Sequence, residues 1–312
     1  MTRNLSMDQY NIHPDFLKYK ITPPLNPAFL PAVQFFMKRM QDMVKIPEGL
    51  KETRRKIPGY QDAPVGISIF EPEEGREPLP ALVYFHGGAF ALQSAPCHKK
   101  LSCSYALNTP CKVVSVDYRL LPENTFPIGL EDCFAAYRWV LENAAQLGIS
   151  PNRIAVGGDS AGGALSAGVC LLARDRGIPV PCFQMLIYPV MDERQNSASM
   201  KKYNDTPLWN SRLNAKMWKM YLKDGLPVEK GYASPAEAVS LEGMPPAYVE
   251  VAEYDCLRDE GIAFAKALKD SGIPAELYET KRTVHGFEIA EKNEIVKESV
   301  DRRIKKLRSV FQ

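Results

Sequence analysis

No stretch of this chain is apolar for long enough to cross a membrane, no two cysteines are spaced as C-x-x-C, and no histidine has a partner at a short helical interval. The first absence argues against a transmembrane helix, which needs ~20 predominantly apolar residues. The other two argue against the common zinc and redox motifs. His13, His86, His98 and His285 stand apart, and Cys97, Cys103, Cys111, Cys133, Cys170, Cys182 and Cys256 are scattered and odd in number. Reduced, mostly buried thiols in a cytoplasmic protein are therefore expected, with no metal and no other cofactor. An excess of either charge is missing too. The 39 basic residues against 37 acidic ones leave a formal +2, so no strong field draws the molecule to nucleic acid or to an anionic membrane. Repeats and low-complexity tracts are lacking. Asp8 and Asp15 interrupt the opening residues where an export signal would need an unbroken apolar core. What is present is a chain of 312 residues, 45% hydrophobic and 24% charged, an ordinary globular composition. Its length suits one large α/β domain carrying insertions.

Short runs rich in β-branched or aromatic residues recur at 66–70, 81–85, 112–116, 153–156, 183–188, 247–251 and 275–278. Most are apolar enough to be covered on both faces. Helical patterns at 131–146, 161–175, 258–270 and 288–311 separate successive strands, and this alternation predicts a mainly parallel sheet flanked by helices. In the last helix Val296, Val300, Leu307 and Phe311 mark an apolar stripe, which leaves its lysines and arginines as a solvated face. Two segments break the alternation. Residues 1–50 carry Pro23, Pro24, Pro27 and Pro31 before a helix-like run at 32–45, with Val33, Phe36, Met37 and Met40 on one side. Residues 190–234 begin with a loop-like polar stretch and continue into a helical face of Leu213, Met217, Met220 and Tyr221, with Trp209 and Trp218 nearby. Both are candidates for a helical cap over the carboxyl edge of the sheet, where open α/β sheets place their sites. The division is then a cap segment at 1–50 and a main domain at 51–312 with a second cap insertion at about 190–234. An exposed edge strand is a candidate surface for pairing two subunits.

The chemistry concentrates in a few short motifs. The strand at 153–156 runs into Gly157-Gly158-Asp159-Ser160-Ala161-Gly162-Gly163 and then into an Ala- and Leu-rich helix. Glycines two before and two after a serine permit the sharp strand-to-helix turn that pushes the hydroxyl outward. A serine needs a base to take its proton and an acid to orient that base. Asp255 follows the strand at 247–251, and His285 lies in a loop before the last helix. The chain order Ser160, Asp255, His285 is the one expected for an α/β-hydrolase triad. After the strand at 81–85 comes His86-Gly87-Gly88-Ala89-Phe90, the place for a glycine-rich oxyanion loop. The N–H groups of Gly87 and Gly88, with that of Ala161, are the predicted oxyanion donors. His86 is read as a brace for the loop rather than a base. Asp159 is read as structural, pointing away from the nucleophile.

On these residues the chain resembles the hormone-sensitive-lipase family of α/β-hydrolases, in the bacterial carboxylesterase branch with the G-D-S-A-G signature. Tyr118-Arg119-Leu120-Leu121-Pro122-Glu123, Tyr232-Ala233-Ser234-Pro235 and Gly243-Met244-Pro245-Pro246 extend the resemblance over most of 60–290. It departs from the family at Cys256, where a proline usually follows the acid, and at Ala89, where many relatives have a third glycine. Asp255 remains the predicted acid ahead of its neighbours Glu253 and Asp259. Asp259 is placed at the start of the next helix as a cap or a dipole partner. Cys256 is read as a buried neutral thiol.

The resulting expectation is a serine carboxylesterase. Ser160 attacks, His285 shuttles the proton, Asp255 holds the imidazole tautomer, and an acyl-enzyme forms and is hydrolysed. Activity should rise as the base loses its proton, near pH ~6.5 for an ordinary histidine. The resemblance implies short acyl chains, acetyl to butyryl. The same triad serves an amidase or arylformamidase, and the fold also admits a non-catalytic small-molecule receptor, although no triad residue is missing. The partner is a small-molecule ester.

Overall fold

Strand β3 (Leu79–Phe85) shows why the apolar runs become the centre of a sheet: all seven of its residues are buried. Leu82 and Tyr84 pack to one side while Val83 and Phe85 pack to the other, as the two-residue period of a strand requires. A computed structural model describes residues 10–19, 25–75 and 77–312. Parts of the N-terminal segment, 1–9 and 20–24, including Asp8, Pro23 and Pro24, lie outside the described residues. Eight strands form one sheet: β1 (Leu50–Pro58), β2 (Pro64–Pro72), β3, β4 (Lys112–Asp117), β5 (Ile149–Asp159), β6 (Gln184–Ile187), β7 (Ala247–Ala252) and β8 (Ala275–Thr280). Their spatial order is β1-β2-β4-β3-β5-β6-β7-β8. The pairs β1/β2 and β2/β4 are antiparallel and the rest are parallel. This is the α/β-hydrolase fold.

Helices cover both faces. On one side α4 (Ile128–Glu142), α5 (Ala161–Asp175) and α8 (Arg258–Asp270) bury Cys133, Leu165, Phe264 and Leu268 against Val83, Val156 and Val249. On the other, α3 (Pro96–Asn108) and α9 (Glu294–Phe311) bury Leu101, Tyr105, Ile304 and Leu307 against Tyr84, Met185 and Tyr248. Among the described residues there are also four shorter or peripheral α-helices, α1 (Pro14–Leu17), α2 (Leu30–Asp42), α6 (Ala198–Lys202) and α7 (Ser211–Tyr221), and single 3-10 turns such as Phe287–Ile289.

The structure departs from the sequence expectations in four places. A strand precedes the one expected at 66–70: β1 carries Lys51, Glu52, Arg54, Arg55 and Lys56 and buries only Leu50 and Ile57. It is an edge strand held by its backbone ladder to β2, and charge on an edge is how sheets avoid further pairing. The 191–204 stretch, expected as loop, contains α6, whose N-cap Ser197 accepts the Met200 N–H at 3.1 Å. Helix α2 turns a different face inward from the one expected. Phe36 and Met40 are exposed, whereas Leu30 and Gln41 are buried and Val33 and Met37 pack against the core. Gln34 lies on that inner side and donates 2.7 Å bonds to the carbonyls of Ala91 and Leu121, so polar glutamines within the stripe disguise its period. Finally, Arg303 of α9 is not part of a solvated face. It is buried, bonded through Nε and Nη2 to Glu250 at 3.0 Å and paired through Nη2 with Glu288 at 2.6 Å. Glu250 also accepts from Tyr248, Thr280 and Ser299. Burial would raise the Glu250 carboxyl, but Arg303 outweighs it and holds it below its ordinary value.

A buried charge left without its partner is costly, ~3–5 kcal/mol, whereas an exposed pair contributes ~0–1 kcal/mol. Arg303→Met should therefore lower the free energy of urea unfolding by about 3–5 kcal/mol. Lys306→Met, which removes the more exposed Lys306–Glu276 contact of 2.7 Å on the same helix, should cost less than about 1 kcal/mol.

Candidate active site

Ser160 sits in the tight turn between the end of β5 and the first turn of α5. Its φ of 56° and ψ of −119° lie outside the usual regions for a residue with a side chain, a strain of ~1–3 kcal/mol. The surrounding contacts enforce it. The Ser160 N–H donates to the Ile187 carbonyl at 2.8 Å, and the Ser160 carbonyl accepts from Gly163 at 3.0 Å and from Val190 at 3.1 Å. A Cβ on Gly158 would collide with the Phe85 carbonyl and lie 2.6 Å from Gly162, and one on Gly162 would strike that same carbonyl. Both glycines are required by close approach of backbones, not by flexibility.

The parallel pairing of β7 and β8 supplies the partners. Ala252 is in register with Thr280, so the turns that follow reach the same rim and place Asp255 and His285 side by side. The Tyr254 N–H donates to the Thr283 carbonyl at 3.0 Å and the Arg282 N–H to the Glu253 carboxylate at 2.7 Å, which staples the two turns together. His285 Nδ1 is 2.7 Å from Asp255 Oδ2 and its Nε2 is 2.8 Å from Ser160 Oγ. Asp255 is fully buried, and its other oxygen accepts the Leu257 N–H at 3.0 Å. The imidazole is flanked by Tyr188, with ring centroids 4.5 Å apart, and by Trp209 at 6.0 Å. Sequence reasoning did not single out Tyr188, whose only signal is its place at the end of β6. The rival acids are occupied elsewhere: Glu253 in the staple, and Asp259 with Arg258 and with the Ser199 N–H of α6 at 2.7 Å. Asp259 thus sits in the first turn of α8 but its carboxylate satisfies the start of α6. Cys256 is buried and its thiol is pushed well up by burial.

The loop after β3 is built on Asp159. Its Oδ1 accepts from Tyr84 Oη at 2.5 Å and from the Gly87 N–H at 3.2 Å, and its Oδ2 faces His98 Nε2 at 3.1 Å. The Gly87 N–H, one of the three expected oxyanion donors, is thus bonded to the Asp159 carboxylate. The N–H groups of Gly88, Ala89 and Ala161 have no backbone partner among the described residues, and Gly88 and Ala89 line the cavity beside Ser160. Which amide faces the site depends on Gly88 at φ +120° and Ala89 at φ 59°, backbone turns that residue types alone do not disclose. His86 Nδ1–H donates to the Gly87 carbonyl at 2.7 Å while its ring stacks on Tyr118 at 4.6 Å. Burial, helped by the neighbouring His98, pushes its pKa down to about 4, so it is a neutral brace. Tyr118 Oη reaches the His86 carbonyl at 2.8 Å, the Leu121 N–H reaches the Phe90 carbonyl at 2.9 Å, and Arg119 grips Asp132 with two 2.8 Å bonds. The Tyr118–Glu123 block therefore props the loop. From the other side Tyr221 of α7 stacks flat on Phe90, centroids 3.9 Å apart.

Burial alone would raise the Asp159 carboxyl, but His98 and Tyr84 reverse this and hold it well below the carboxylate range. The Ala95 N–H donates to His98 Nδ1 at 2.9 Å, which leaves the ring proton on Nε2 facing Asp159. The cavity above Ser160 measures about 190 Å³, and Met37 of α2, Leu92, Leu208 and Trp209 are among the residues that line it. No group of three or more metal-ligating side chains occurs among the described residues, and none of their helices is long and apolar enough to cross a membrane.

Known proteins resemble this one over nearly the whole architecture. The profile of the alpha/beta hydrolase fold family matches residues 82–289. Carboxylesterase NlhH of Mycobacterium tuberculosis is 37% identical over 256 residues, 80% of each chain. Esterase LipI of the same organism is 34% identical over 289 residues, covering 91% of this chain and 90% of its own. The solved structure of a bacterial heroin esterase superposes with a TM-score of 0.88 at 32% identity, covering 97% of this chain and 98% of that one.

A carboxyl held below its unfolded value stabilises the fold above that value and loses its effect as pH falls through the folded one. Asp159→Asn should therefore destabilise the protein by ~1–3 kcal/mol near neutral pH, the cost of leaving buried donors poorly met. Urea titrations at falling pH should show the deficit shrinking below about pH 4. Strand, elbow, acid turn and histidine loop, together with these likenesses, show that the chain belongs to the hormone-sensitive-lipase family of the α/β-hydrolase fold.

Proposed function

We propose that this protein hydrolyses small carboxylic esters through an acyl-enzyme on Ser160. The observation that carries the reading is the continuous path from Asp255 to His285 to Ser160, with links of 2.7 and 2.8 Å. Asp255 accepts the Nδ1 proton of His285, which leaves Nε2 free to take the proton of the Ser160 hydroxyl as the oxygen attacks the ester carbonyl. The same nitrogen returns that proton to the departing alcohol, and water then repeats the sequence on the acyl-enzyme. The negative oxygen formed at each attack is met by the N–H groups of Gly88, Ala89 and Ala161, donors worth roughly 3 kcal/mol each where one has been removed. The relatives are named as esterases, which favours an ester over an amide as the bond broken.

Short chains are supported by the size of the cavity, about 190 Å³, which is below the ~300–1,000 Å³ of drug-sized ligand sites. In this reading α2 and the 190–234 insertion are the two parts of a cap, since Met37 comes from one and Leu208 and Trp209 from the other. A reducing, cytoplasmic setting fits the five cysteines packed in the core as free thiols, Cys103, Cys111, Cys133, Cys170 and Cys256. Ser160→Ala should cut kcat on p-nitrophenyl acetate by ~10⁴-fold or more, measured against a protein that melts normally. Near-normal turnover by that variant would refute the assignment.

A further inference from the structure

Two cavities in this molecule share one wall. Cys97, Leu101 and Glu288 bound the cavity above Ser160 and also line a second one of about 270 Å³ that opens between α3 and α9. Beyond the wall the second cavity is apolar along Val296 and Val300. Its rim is charged: Lys100 Nζ approaches the Glu291 carboxylate at 2.7 and 2.9 Å.

The three wall residues are not equally fixed. Glu288 is pinned, accepting from Tyr188 Oη at 2.5 Å and pairing with the buried Arg303 at 2.6 Å. Cys97 and Leu101 are one turn apart on α3, where residues at i and i+4 stand on the same face. They carry no charge, and burial pushes the Cys97 thiol up to about 12. The partition is therefore one polar post and two neutral side chains. The catalytic cavity alone is smaller than most ligand sites, and joined to its neighbour it falls within their ordinary range.

We propose that Leu101 and Cys97 are the stop that confines this site to short chains, and that the α3–α9 cavity behind them is a latent extension fitted to a linear alkyl chain of the ester. A groove with an apolar strip at Leu101, Val296 and Val300, flanked by Lys100, Ser104, Glu291, Lys297 and Asp301, suits a hydrocarbon tail whose far end meets water. This inference rests on the proposed ester hydrolysis. It goes beyond that reading in assigning chain length to two residues outside the triad.

The test compares substrates within each variant, so that general damage cancels. In Leu101→Ala the ratio of kcat/KM on p-nitrophenyl octanoate to that on p-nitrophenyl acetate should rise roughly tenfold or more, the scale on which pockets discriminate single methylenes. In Leu101→Trp the ratio of butyrate to acetate should fall. A parallel series of ethyl to octyl acetates tells whether the tail belongs to the acyl or the alcohol side, and a shift in either series supports the proposal. Cys97→Ala, read the same way, covers the case in which Leu101→Ala fails to fold. Unchanged ratios in both series, in variants that fold and turn over acetate, would overturn it. A wild-type protein inert toward p-nitrophenyl acetate would instead sink the ester reading itself.

Discussion

The structure depends on one close approach, that of the elbow backbone to the last carbonyl of β3. Gly158 and Gly162 leave no room for a side chain against Phe85, so β5 and β3 must end at the same height and side by side. Their parallel register pairs Phe85 with Gly158, which sets the loop after β3 directly beside the residue after β5. The serine and the amides that face it are thus neighbours because two strands are neighbours. On the far side, β6 lies between β5 and β7. The end of β6 contributes Tyr188 against the imidazole, and β7 with β8 delivers the acid and the base. Four consecutive parallel strands from β5 to β8 therefore each contribute at their carboxyl ends, as open α/β sheets do.

Charge is distributed around this rim with few loose ends. Asp255 is tied to His285 and to a backbone N–H, Asp159 to Tyr84, Gly87 and His98, and Glu288 to Tyr188 and Arg303. Burying an ion without such partners costs several kcal/mol, so each carboxylate is also a fastener. Asp159 fastens the oxyanion loop to the elbow. Glu288 fastens Tyr188, and through it one face of the imidazole, to the helix that closes the chain. The carboxylates nearest the serine are consequently engaged elsewhere, and His285 Nε2 lies 2.8 Å from the Ser160 hydroxyl.

Most of this could be read from residue order. The strand runs at 81–85, 112–116 and 247–251 fall on β3, β4 and β7 because buried parallel strands are continuous apolar blocks, and α5 and α8 begin and end where their patterns do. The proposed nucleophile, acid and base are legible because each lies just past a recognisable strand end. What escaped is what depends on backbone direction or on partners distant in sequence. β1 is held by its ladder and not by side chains, so its charged residues give no signal. Arg303 looks like any surface arginine on α9 until Glu250, 53 residues earlier, is seen beneath it. The Gly87 amide looks equivalent to its neighbour, and only the position of the Asp159 carboxylate distinguishes the two.

The two segments outside the strand-helix alternation are fastened to those same supporting residues, and this determines what disturbing them would do. Gln34 of α2 bonds to Ala91 and Leu121, on either side of the oxyanion loop's anchor at Phe90. Tyr221 of α7 stacks on Phe90 itself, and the Phe126 N–H donates to the Tyr221 carbonyl at 3.0 Å. At the start of the 190–234 segment the Met191 N–H donates to Glu260 at 2.7 Å, and Ser199 bonds to Asp259 and to the Cys256 carbonyl, beside the Asp255 turn. Burial pushes the Glu260 carboxyl well above its ordinary range, so the folded state holds a proton there more tightly than an unfolded chain does. A carboxyl whose folded value is raised favours folding fully below its unfolded value and loses that contribution as pH rises through the folded value. The anchor of this segment at Glu260 therefore weakens with rising pH, while the clamp on the oxyanion loop at Asp159 weakens as pH falls. The pH dependence of the segment over the site and that of the loop beneath it run in opposite directions, although the two structures meet at Phe90.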